Sequence, residues 1–122
     1  MSEKIPEYRL AHIGIHASGN DEAAQVAARL AYILDLPDDD DNFIRTFVGD
    51  MIEVKKNLNL GSKGHIGIET DDVDAAMEHL KSKGIGFVER TIGRDEEGRA
   101  TFAYLDLEVA GFGIHLQRTK GL

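Results

Sequence analysis

The chain has 122 residues, of which 42% are hydrophobic and 30% charged, and this composition is typical of one globular domain. The absence of cysteine excludes disulfides and thiolate metal ligands, while the formal charge of −8 argues against nucleic acid as a partner. There is no apolar run of the roughly 18 residues that a membrane span needs and no apolar signal segment at the N-terminus. The absence of cysteine fits a cytoplasmic protein, which is the location we expect.

The first half of the chain is predicted to contain a strand, a helix and two short strands. Tyr8 to His16 alternates like a strand, and an amphipathic helix is predicted from Asp21 to about Leu34. The four adjacent aspartates Asp38 to Asp41 lack the spacing of a calcium loop, so we expect a solvated loop there. Phe43 to Val48 and Met51 to Lys55 are the two short strands.

The second half repeats this order after a linker predicted from Asn57 to Lys63. A strand is predicted from His65 to Thr70, followed by a helix that Asp71 and Asp72 open and that Gly84 ends. Three more strands follow, at Ile85 to Glu89, Ala100 to Leu107 and Phe112 to Arg118.

The tetrapeptide His-Ile-Gly-Ile occurs twice, starting at His12 and again at His65. Successive side chains of a strand point to opposite faces, so each copy places its isoleucines on one face and its histidine and glycine on the other. Glycine inside a strand often marks a position that another group must approach closely. The repeat therefore predicts two related strands that face a shared space.

The last strand of each half has a matching pattern, with a polar residue between two apolar ones at Glu53 and at His115. Four strands thus present His12, Glu53, His65 and His115 on faces away from their apolar sides. Imidazole and carboxylate groups are ligands that zinc, nickel, iron and manganese accept, and rigid strands hold such groups well. Taken singly, each of these residues is explained as a polar side chain on the solvent-exposed face of a sheet. Taken together, with matching faces in both halves, they predict a metal centre.

Other side chains leave two interpretations open. His16 and Glu69 share the face of the candidate ligands, where they either support the ligands and contact substrate or are solvated strand positions. Phe102 and Tyr104 either line a cleft or pack in the core. Arg94 and Arg99 flank an acidic hairpin tip, where an ion pair is favoured over guidance of an anionic substrate. His79 is predicted to lie on a helix surface.

The order of these motifs resembles the vicinal oxygen chelate superfamily, which includes glyoxalase I, extradiol dioxygenases, epimerases and metal-free antibiotic-binding proteins. The resemblance is carried by four segments: Ala11-His12-Ile13-Gly14-Ile15, Gly49-Asp50-Met51-Ile52-Glu53-Val54, Gly64-His65-Ile66-Gly67-Ile68 and Gly113-Ile114-His115-Leu116. It implies an α+β fold in which two βαβββ modules form one curved mixed sheet around a cleft, with the helices on the outer face. Residues 8–57 and 64–118 would be the two modules of a single domain that spans residues 1–122.

Two features depart from the family pattern. The fourth ligand position of glyoxalase-type members is usually a glutamate that also moves the proton, and here it is His115. The first module also looks short, with only two strands predicted after its helix. A histidine at position 115 can still bind a metal, but it departs from the usual proton-transfer chemistry of the glyoxalase-type members. A shorter first module would widen the substrate cleft.

The resemblance implies a glyoxalase-like lyase or isomerase that depends on a divalent metal, which is zinc, nickel, iron or manganese. His12, Glu53, His65 and His115 would hold the metal against a small substrate with vicinal oxygens, and the reaction would pass through an enediolate-like intermediate. Glu53 is the first candidate for the catalytic base and Glu69 the second.

Two alternative functions remain open at this point. The chain could instead be a small-molecule binding or regulatory module, with or without metal, similar to bleomycin resistance proteins or accessory to an aldolase of 2-keto-3-deoxy sugar acids. An extradiol-type dioxygenase is the second alternative, because two histidines and one carboxylate suit non-haem iron. The expected partners are a small-molecule substrate and a second copy of the chain in a homodimer, with no nucleic acid and no membrane.

Overall fold

The computed structural model describes residues 5–57 and 60–122. The predicted linker from Asn57 to Lys63 therefore lies partly outside the described residues. In chain order the elements are β1 (Arg9–His16), α1 (Asn20–Leu34), β2 (Asp40–Asp41), β3 (Arg45–Val48), β4 (Ile52–Lys55), β5 (Gly64–Thr70), α2 (Val73–Lys81), a 3-10 turn (Glu89–Thr91), β6 (Gly93–Arg94), β7 (Ala100–Val109) and β8 (Phe112–Arg118).

The eight strands form one mixed sheet in the order β2-β3-β4-β1-β5-β8-β7-β6. β1 runs parallel to β4, β5 runs parallel to β8, and the antiparallel pair β1–β5 joins the two halves at the centre. Each half has the same order of elements, one strand, one helix and three strands. The predicted α+β fold of two βαβββ modules is therefore confirmed.

The two helices cover the same face of the sheet, one in each half. Ala23 and Ala27 of α1 form a buried cluster with Val48 and Val54, so small helix residues let α1 lie close to β3 and β4. The corresponding cluster under α2 contains seven buried residues: Val73, Ala76, Met77, Ala100, Ala103, Leu105 and Leu116. Because side chains alternate along a strand, the neighbours of these core residues point to the opposite face.

Local signals in the sequence set the helix boundaries. The side chain of Asp72 accepts a hydrogen bond of 3.0 Å from the backbone N–H of Ala75 and so caps the start of α2. After α2, Gly84 has φ of +83°, a left-handed conformation that glycine adopts without strain. α1 ends at Leu34, and the capping residue Asp35 that follows it also adopts a left-handed conformation.

The first module is not missing a strand. The stretch that we expected to be a solvated loop contains β2, whose residues Asp40 and Asp41 pair with Phe47 and Thr46 of β3. An ion pair of 2.8 Å between Lys56 and Asp41 helps to hold this edge. Two adjacent aspartates have no strand propensity of their own, so this strand depends on its partners and leaves no signal in the sequence.

The prediction of a strand from Ile85 to Glu89 is also wrong. This segment has only one isolated bridge, between Phe87 and Leu105, and the 3-10 turn begins at Glu89. The first strand after α2 is instead β6, at Gly93–Arg94. A short apolar run predicts an extended, half-buried chain well, but not whether its backbone pairs continuously with a neighbour.

Candidate metal centre

The face of the sheet opposite the helices lines a cavity of about 780 Å³. Strands from both halves contribute to its wall, and all four predicted ligands line it: His12, Glu53, His65 and His115. The predicted second base Glu69 lines the cavity as well. Among the residues that the sequence left open, Phe102 and Tyr104 also lie on this wall.

The candidate ligands lie on the four central strands, and the strand register places them in two rows across the sheet. In the first row Glu53 of β4 pairs with Gly14 of β1, Gly14 with His65 of β5, and His65 with Gly113 of β8. The second row has the same alternation and contains His12, Gly67, His115 and Tyr104. Each ligand thus has a glycine beside it on the neighbouring strand.

These glycines make room for the imidazole rings. A Cβ atom at Gly14 would overlap the ring of His65, and a Cβ at Gly67 would lie 2.7 Å from Cε1 of His12 and 3.0 Å from Cε1 of His115. Contacts shorter than 3.0 Å are not found in packed proteins, so the rings of His65 and His12 would have to move. The glycine of His-Ile-Gly-Ile is therefore needed so that the histidine of the other copy can lie over it on the sheet.

Four polar groups converge within this space. Nε2 of His12 lies 3.1 Å from Nε2 of His65, and Oε1 of Glu53 lies 3.0 Å from Nε2 of His65 and 3.9 Å from Nε2 of His12. The ligand atoms of His12, His65 and His115 all lie within 4.8 Å of one another. Ligand atoms bound about 2.1 Å from one zinc ion lie about 3 to 3.5 Å apart, so the spacing around His65 matches that of a metal site.

His115 is the most enclosed of the four groups. Only 2% of its surface is exposed, and its Nδ1 atom is buried without a hydrogen-bond partner in the described part of the chain. The ring of Phe102 packs against it at 4.5 Å and that of Tyr104 at 5.1 Å. Burial, together with the nearby charges of His65 and His12, lowers the pKa of His115 to about 3, so the ring is a neutral electron-pair donor at ordinary pH.

The electrostatics of the other ligands also favour metal binding. Burial lowers the pKa of His12 from its ordinary value. Burial by itself raises the pKa of Glu53, but the hydrogen bond and charge of His65 and the charge of His12 outweigh it, so the net effect is to lower that pKa. A neutral imidazole at His12 and an ionised carboxylate at Glu53 are the protonation states that metal binding requires.

One family model matches almost the whole chain. It is described as the glyoxalase/bleomycin resistance protein/dioxygenase superfamily and covers residues 3–115. The chain belongs to this superfamily. Comparison with curated protein sequences gives no significant match.

Solved structures share this superfamily fold at low sequence identity. A hypothetical protein from Bacillus halodurans C-125 has a TM-score of 0.63 and 19% identity, and the match covers 94% of this chain and 96% of that one. Streptomyces coelicolor methylmalonyl-CoA epimerase in complex with 2-nitronate-propionyl-CoA has a TM-score of 0.62 and 16% identity, with 93% and 96% covered. A methylmalonyl-CoA epimerase in complex with methylmalonyl-CoA and NH4+ has a TM-score of 0.62 and 17% identity, with 93% and 95% covered. At these identities the likeness concerns the fold alone.

The residues present fit the divalent metal that the superfamily resemblance implies. Oε1 of Glu53 and Nε2 of His12 lie 3.0 Å and 3.1 Å from Nε2 of His65, and atoms with lone pairs at such distances repel one another unless a proton or a metal cation lies among them. The orphaned Nδ1 of His115 adds a buried polar atom that lacks a protein partner. The donor set of three imidazoles and one carboxylate suits zinc, nickel, iron or manganese.

The remaining polar residues have clear positions. Glu69 lies 3.6 Å from the guanidinium of Arg9, so its charge is already engaged by a cation. Arg99 pairs with Asp95 across the hairpin at 3.3 Å, in agreement with the favoured interpretation, whereas Arg94 pairs at 3.6 Å with Asp74 of α2. Neither arginine lines the cavity.

The sequence prediction overlooked the cavity face of β3. Phe47 packs edge-on against His12, with 5.7 Å between ring centroids, and the guanidinium of Arg45 lies 4.9 Å from the centre of the Phe47 ring. Arg45 also lies 4.0 Å from Oε2 of Glu53. The signal was available, because Arg45 and Phe47 alternate with the buried residues Thr46 and Val48.

Among the described residues, no helix is both long and apolar enough to cross a membrane.

Proposed function

We propose that this superfamily member is a metal-dependent enzyme that moves a proton at the carbon next to a carbonyl group of a small substrate with vicinal oxygens. The supporting observation is that the ligand atoms of His12, His65 and His115 lie within 4.8 Å of one another inside a cavity, with Oε1 of Glu53 3.0 Å from Nε2 of His65. The reaction class is that of an isomerase or lyase. The similar folds include an epimerase of methylmalonyl-CoA, which is consistent with this class but does not identify the substrate.

The four ligands would hold the metal from both halves of the sheet. His12 and Glu53 belong to the first module, and His65 and His115 to the second, so the register of β1 with β5 aligns the pairs. When bound, a divalent ion at this position supplies Lewis-acid stabilisation of negative charge on a substrate oxygen. Phe102 and Tyr104 shield His115 on one side, and Phe47 packs against His12 on another.

Glu53 is the residue that we propose as the base. It is the only carboxylate among the four converging groups, and the net effect of its surroundings keeps it ionised and able to accept a proton. Nε of Arg45 lies 4.0 Å from its Oε2 atom, while its Oε1 atom faces His65. The proton would be accepted on this carboxylate when Glu53 leaves its place beside His65, and Glu69 is the second candidate.

Tyr104 is positioned to act as a neutral hydrogen-bond donor at the cavity wall. Burial, with a smaller contribution from the charge of Glu53, raises the pKa of Tyr104 to about 12. The phenol therefore keeps its proton at any physiological pH. A protonated hydroxyl beside the ligands can bind an oxygen atom of the substrate.

Metal content is the first test of this function. Purified protein is expected to contain stoichiometric divalent metal by elemental analysis, and His65→Ala is expected to lose it, because His65 contacts both Glu53 and His12. His79→Ala is the matched control, since it removes an imidazole from α2, whose residues do not line the cavity. Metal retained by His65→Ala, or a metal-free protein that binds an apolar ligand, would favour a binding module over an enzyme.

Proton transfer is the second test. We expect the metal-loaded protein to catalyse exchange of a carbon-bound proton with deuterated water, and the hemithioacetal of methylglyoxal and methylmalonyl-CoA are the two first substrates to compare. Turnover of the hemithioacetal alone would indicate a glyoxalase-type isomerisation. Turnover of methylmalonyl-CoA alone would indicate an epimerase. Consumption of oxygen with a catechol would instead indicate the dioxygenase alternative and would contradict the proposal.

A further inference from the structure

A third buried histidine lies behind the candidate metal centre. His16 is 7% exposed and is not part of the cavity wall. Its Nε2 atom lies 2.7 Å from Nδ1 of His65, and its Nδ1 atom lies 2.8 Å from the carbonyl oxygen of Gly61. The two rings and the carbonyl thus form a continuous chain of hydrogen bonds that ends on a candidate ligand.

The direction of each hydrogen bond in this chain follows from elementary chemistry. A carbonyl oxygen only accepts, so Nδ1 of His16 must carry the proton that is donated to Gly61. In a neutral imidazole the other nitrogen then has a lone pair, so Nε2 of His16 accepts. The donor in the second hydrogen bond is therefore Nδ1–H of His65.

The consequence for His65 is a fixed tautomer. With its proton on Nδ1, a neutral His65 ring directs the lone pair of Nε2 into the space between Oε1 of Glu53 and Nε2 of His12, where a metal cation would accept it. This is the nitrogen that lies at metal-ligand spacing from its neighbours. The reverse tautomer would place an N–H there and leave two lone pairs facing each other between His65 and His16.

The acceptor at the end of the chain is itself fixed by the backbone. Gly61 has φ of +91°, in the left-handed region, and a Cβ atom at this position would overlap the carbonyl oxygen of Gly64. The conformation is therefore available to glycine alone, and it aims the Gly61 carbonyl at the ring of His16. The backbone oxygen of Gly61 can only accept a hydrogen bond. Both hydrogen bonds are therefore donated in the same direction, from His65 to His16 and from His16 to Gly61.

From this geometry we infer that His16 is a positioning residue, which accepts a hydrogen bond from Nδ1 of His65 and thereby keeps Nε2 of His65 free to bind the metal. His16 touches neither the cavity nor the other ligands and acts through His65. Its role rests on the proposed function, since a free lone pair on His65 matters only where a metal is bound. Outer hydrogen bonds of this kind orient a ligating imidazole and raise its basicity.

The tautomers can be read directly in the metal-free protein. Nitrogen-15 spectra of histidine-labelled protein in mildly alkaline solution distinguish a protonated ring nitrogen from an unprotonated one. We expect the proton of His16 on Nδ1, no proton on its Nε2, and a proton on Nδ1 of His65. A proton on Nε2 of His16, or none on Nδ1 of His65, would overturn the inference whether or not the protein binds a metal.

Two substitutions of His16 test the effect on binding. His16→Leu removes the acceptor and is expected to weaken zinc binding about 10- to 100-fold, the usual effect of losing such an outer partner. His16→Gln keeps one donor and one acceptor in a similar place and is expected to retain the wild-type affinity and the wild-type tautomer of His65. His79→Leu is the matched control on α2.

The readouts separate this role from a purely structural one. If His16→Leu lowers thermal stability but binds zinc as the wild type does, His16 only packs the fold and the inference is wrong. If His16→Gln fails to restore affinity while His65 regains its tautomer, the inference is also wrong. If the wild type itself binds no metal, the proposed function fails, and the nitrogen-15 spectra alone decide whether His16 orients His65.

Discussion

The imidazole of His65 lies directly over Gly14, its pairing partner on β1, and a Cβ atom at Gly14 would overlap the ring atoms Cε1, Nδ1 and Nε2. In the same way, the imidazole of His12 on β1 lies over Gly67, its pairing partner on β5. Because the strands are antiparallel, one tetrapeptide used twice supplies both a ligand and the space for the ligand of its partner. The repeat therefore builds two ligand positions from a single short motif.

Gly14→Ala is expected to displace His65 without removing any ligand. The added methyl group must push the ring away from the sheet, which should weaken zinc binding about 10- to 100-fold and cost about 1 to 3 kcal/mol in the free energy of unfolding. Isothermal titration and urea unfolding measure the two effects.

The matched control for this substitution is Gly86→Ala. The nearest atom to a Cβ at Gly86 is Cβ of Asp106 at 4.0 Å, and its φ lies outside the left-handed region, so the same methyl group meets ordinary space there. We expect the affinity of Gly86→Ala to equal that of the wild type. Wild-type zinc affinity in Gly14→Ala would mean that the close packing of His65 on Gly14 has no role in the site.

Glu53→Gln is expected to separate metal binding from proton transfer. The amide keeps the shape of the side chain but loses the negative charge and the basicity of the carboxylate. Solvent deuterium exchange into the substrate should fall about 10²- to 10⁴-fold. Zinc affinity should fall as well, because Oε1 of Glu53 lies 3.0 Å from Nε2 of His65 among the ligand atoms.

Asp50→Asn provides the comparison for Glu53→Gln. Asp50 is an exposed carboxylate that lines the same cavity, so this variant removes the same charge from the same wall. Its exchange rate is expected to match that of the wild type at saturating substrate. If exchange were retained in Glu53→Gln and lost in Glu69→Gln, the base would be Glu69.

Strand periodicity was enough to place the four candidate ligands on one face. His12 and His65 follow from the alternation of His-Ile-Gly-Ile, and Glu53 from its position between Ile52 and Val54. Each of these predictions uses only the period of two along one strand. The structure then shows what periodicity cannot, namely that the register brings Glu53, Gly14 and His65 into one row.

Features that depend on tertiary contacts could not be predicted from the sequence. The orientation of His16 depends on the carbonyl of Gly61, which comes from a loop 45 residues away, and no local pattern specifies that contact. β2 exists because Thr46 and Phe47 pair with two aspartates of no strand propensity. The prediction of a strand from Ile85 to Glu89 was wrong for the opposite reason. Its apolar side chains pack against the core, but its backbone forms only one bridge with a neighbouring strand.

The tip of the hairpin before β7 should make stability depend on acid pH through Asp95. Its carboxylate accepts hydrogen bonds from Arg118 at 2.9 Å and from the backbone N–H groups of Arg99 at 2.9 Å and Glu97 at 3.0 Å. The hydrogen bond from Arg118 and then that from Arg99 lower the pKa of Asp95 to about 2.

The sign of the effect follows from linkage. An unfolded aspartate has a pKa of about 3.9, so the ionised group stabilises the folded state fully above that pH, and the contribution disappears as pH falls toward about 2. Asp95→Asn should therefore be less stable than the wild type at neutral pH, with a difference that shrinks between about pH 5 and pH 2. Thermal unfolding across this range measures it, and Glu96→Gln, an exposed neighbour, is the control. A difference that did not change with pH would show that Asp95 acts through the geometry of its hydrogen bonds and not through its charge.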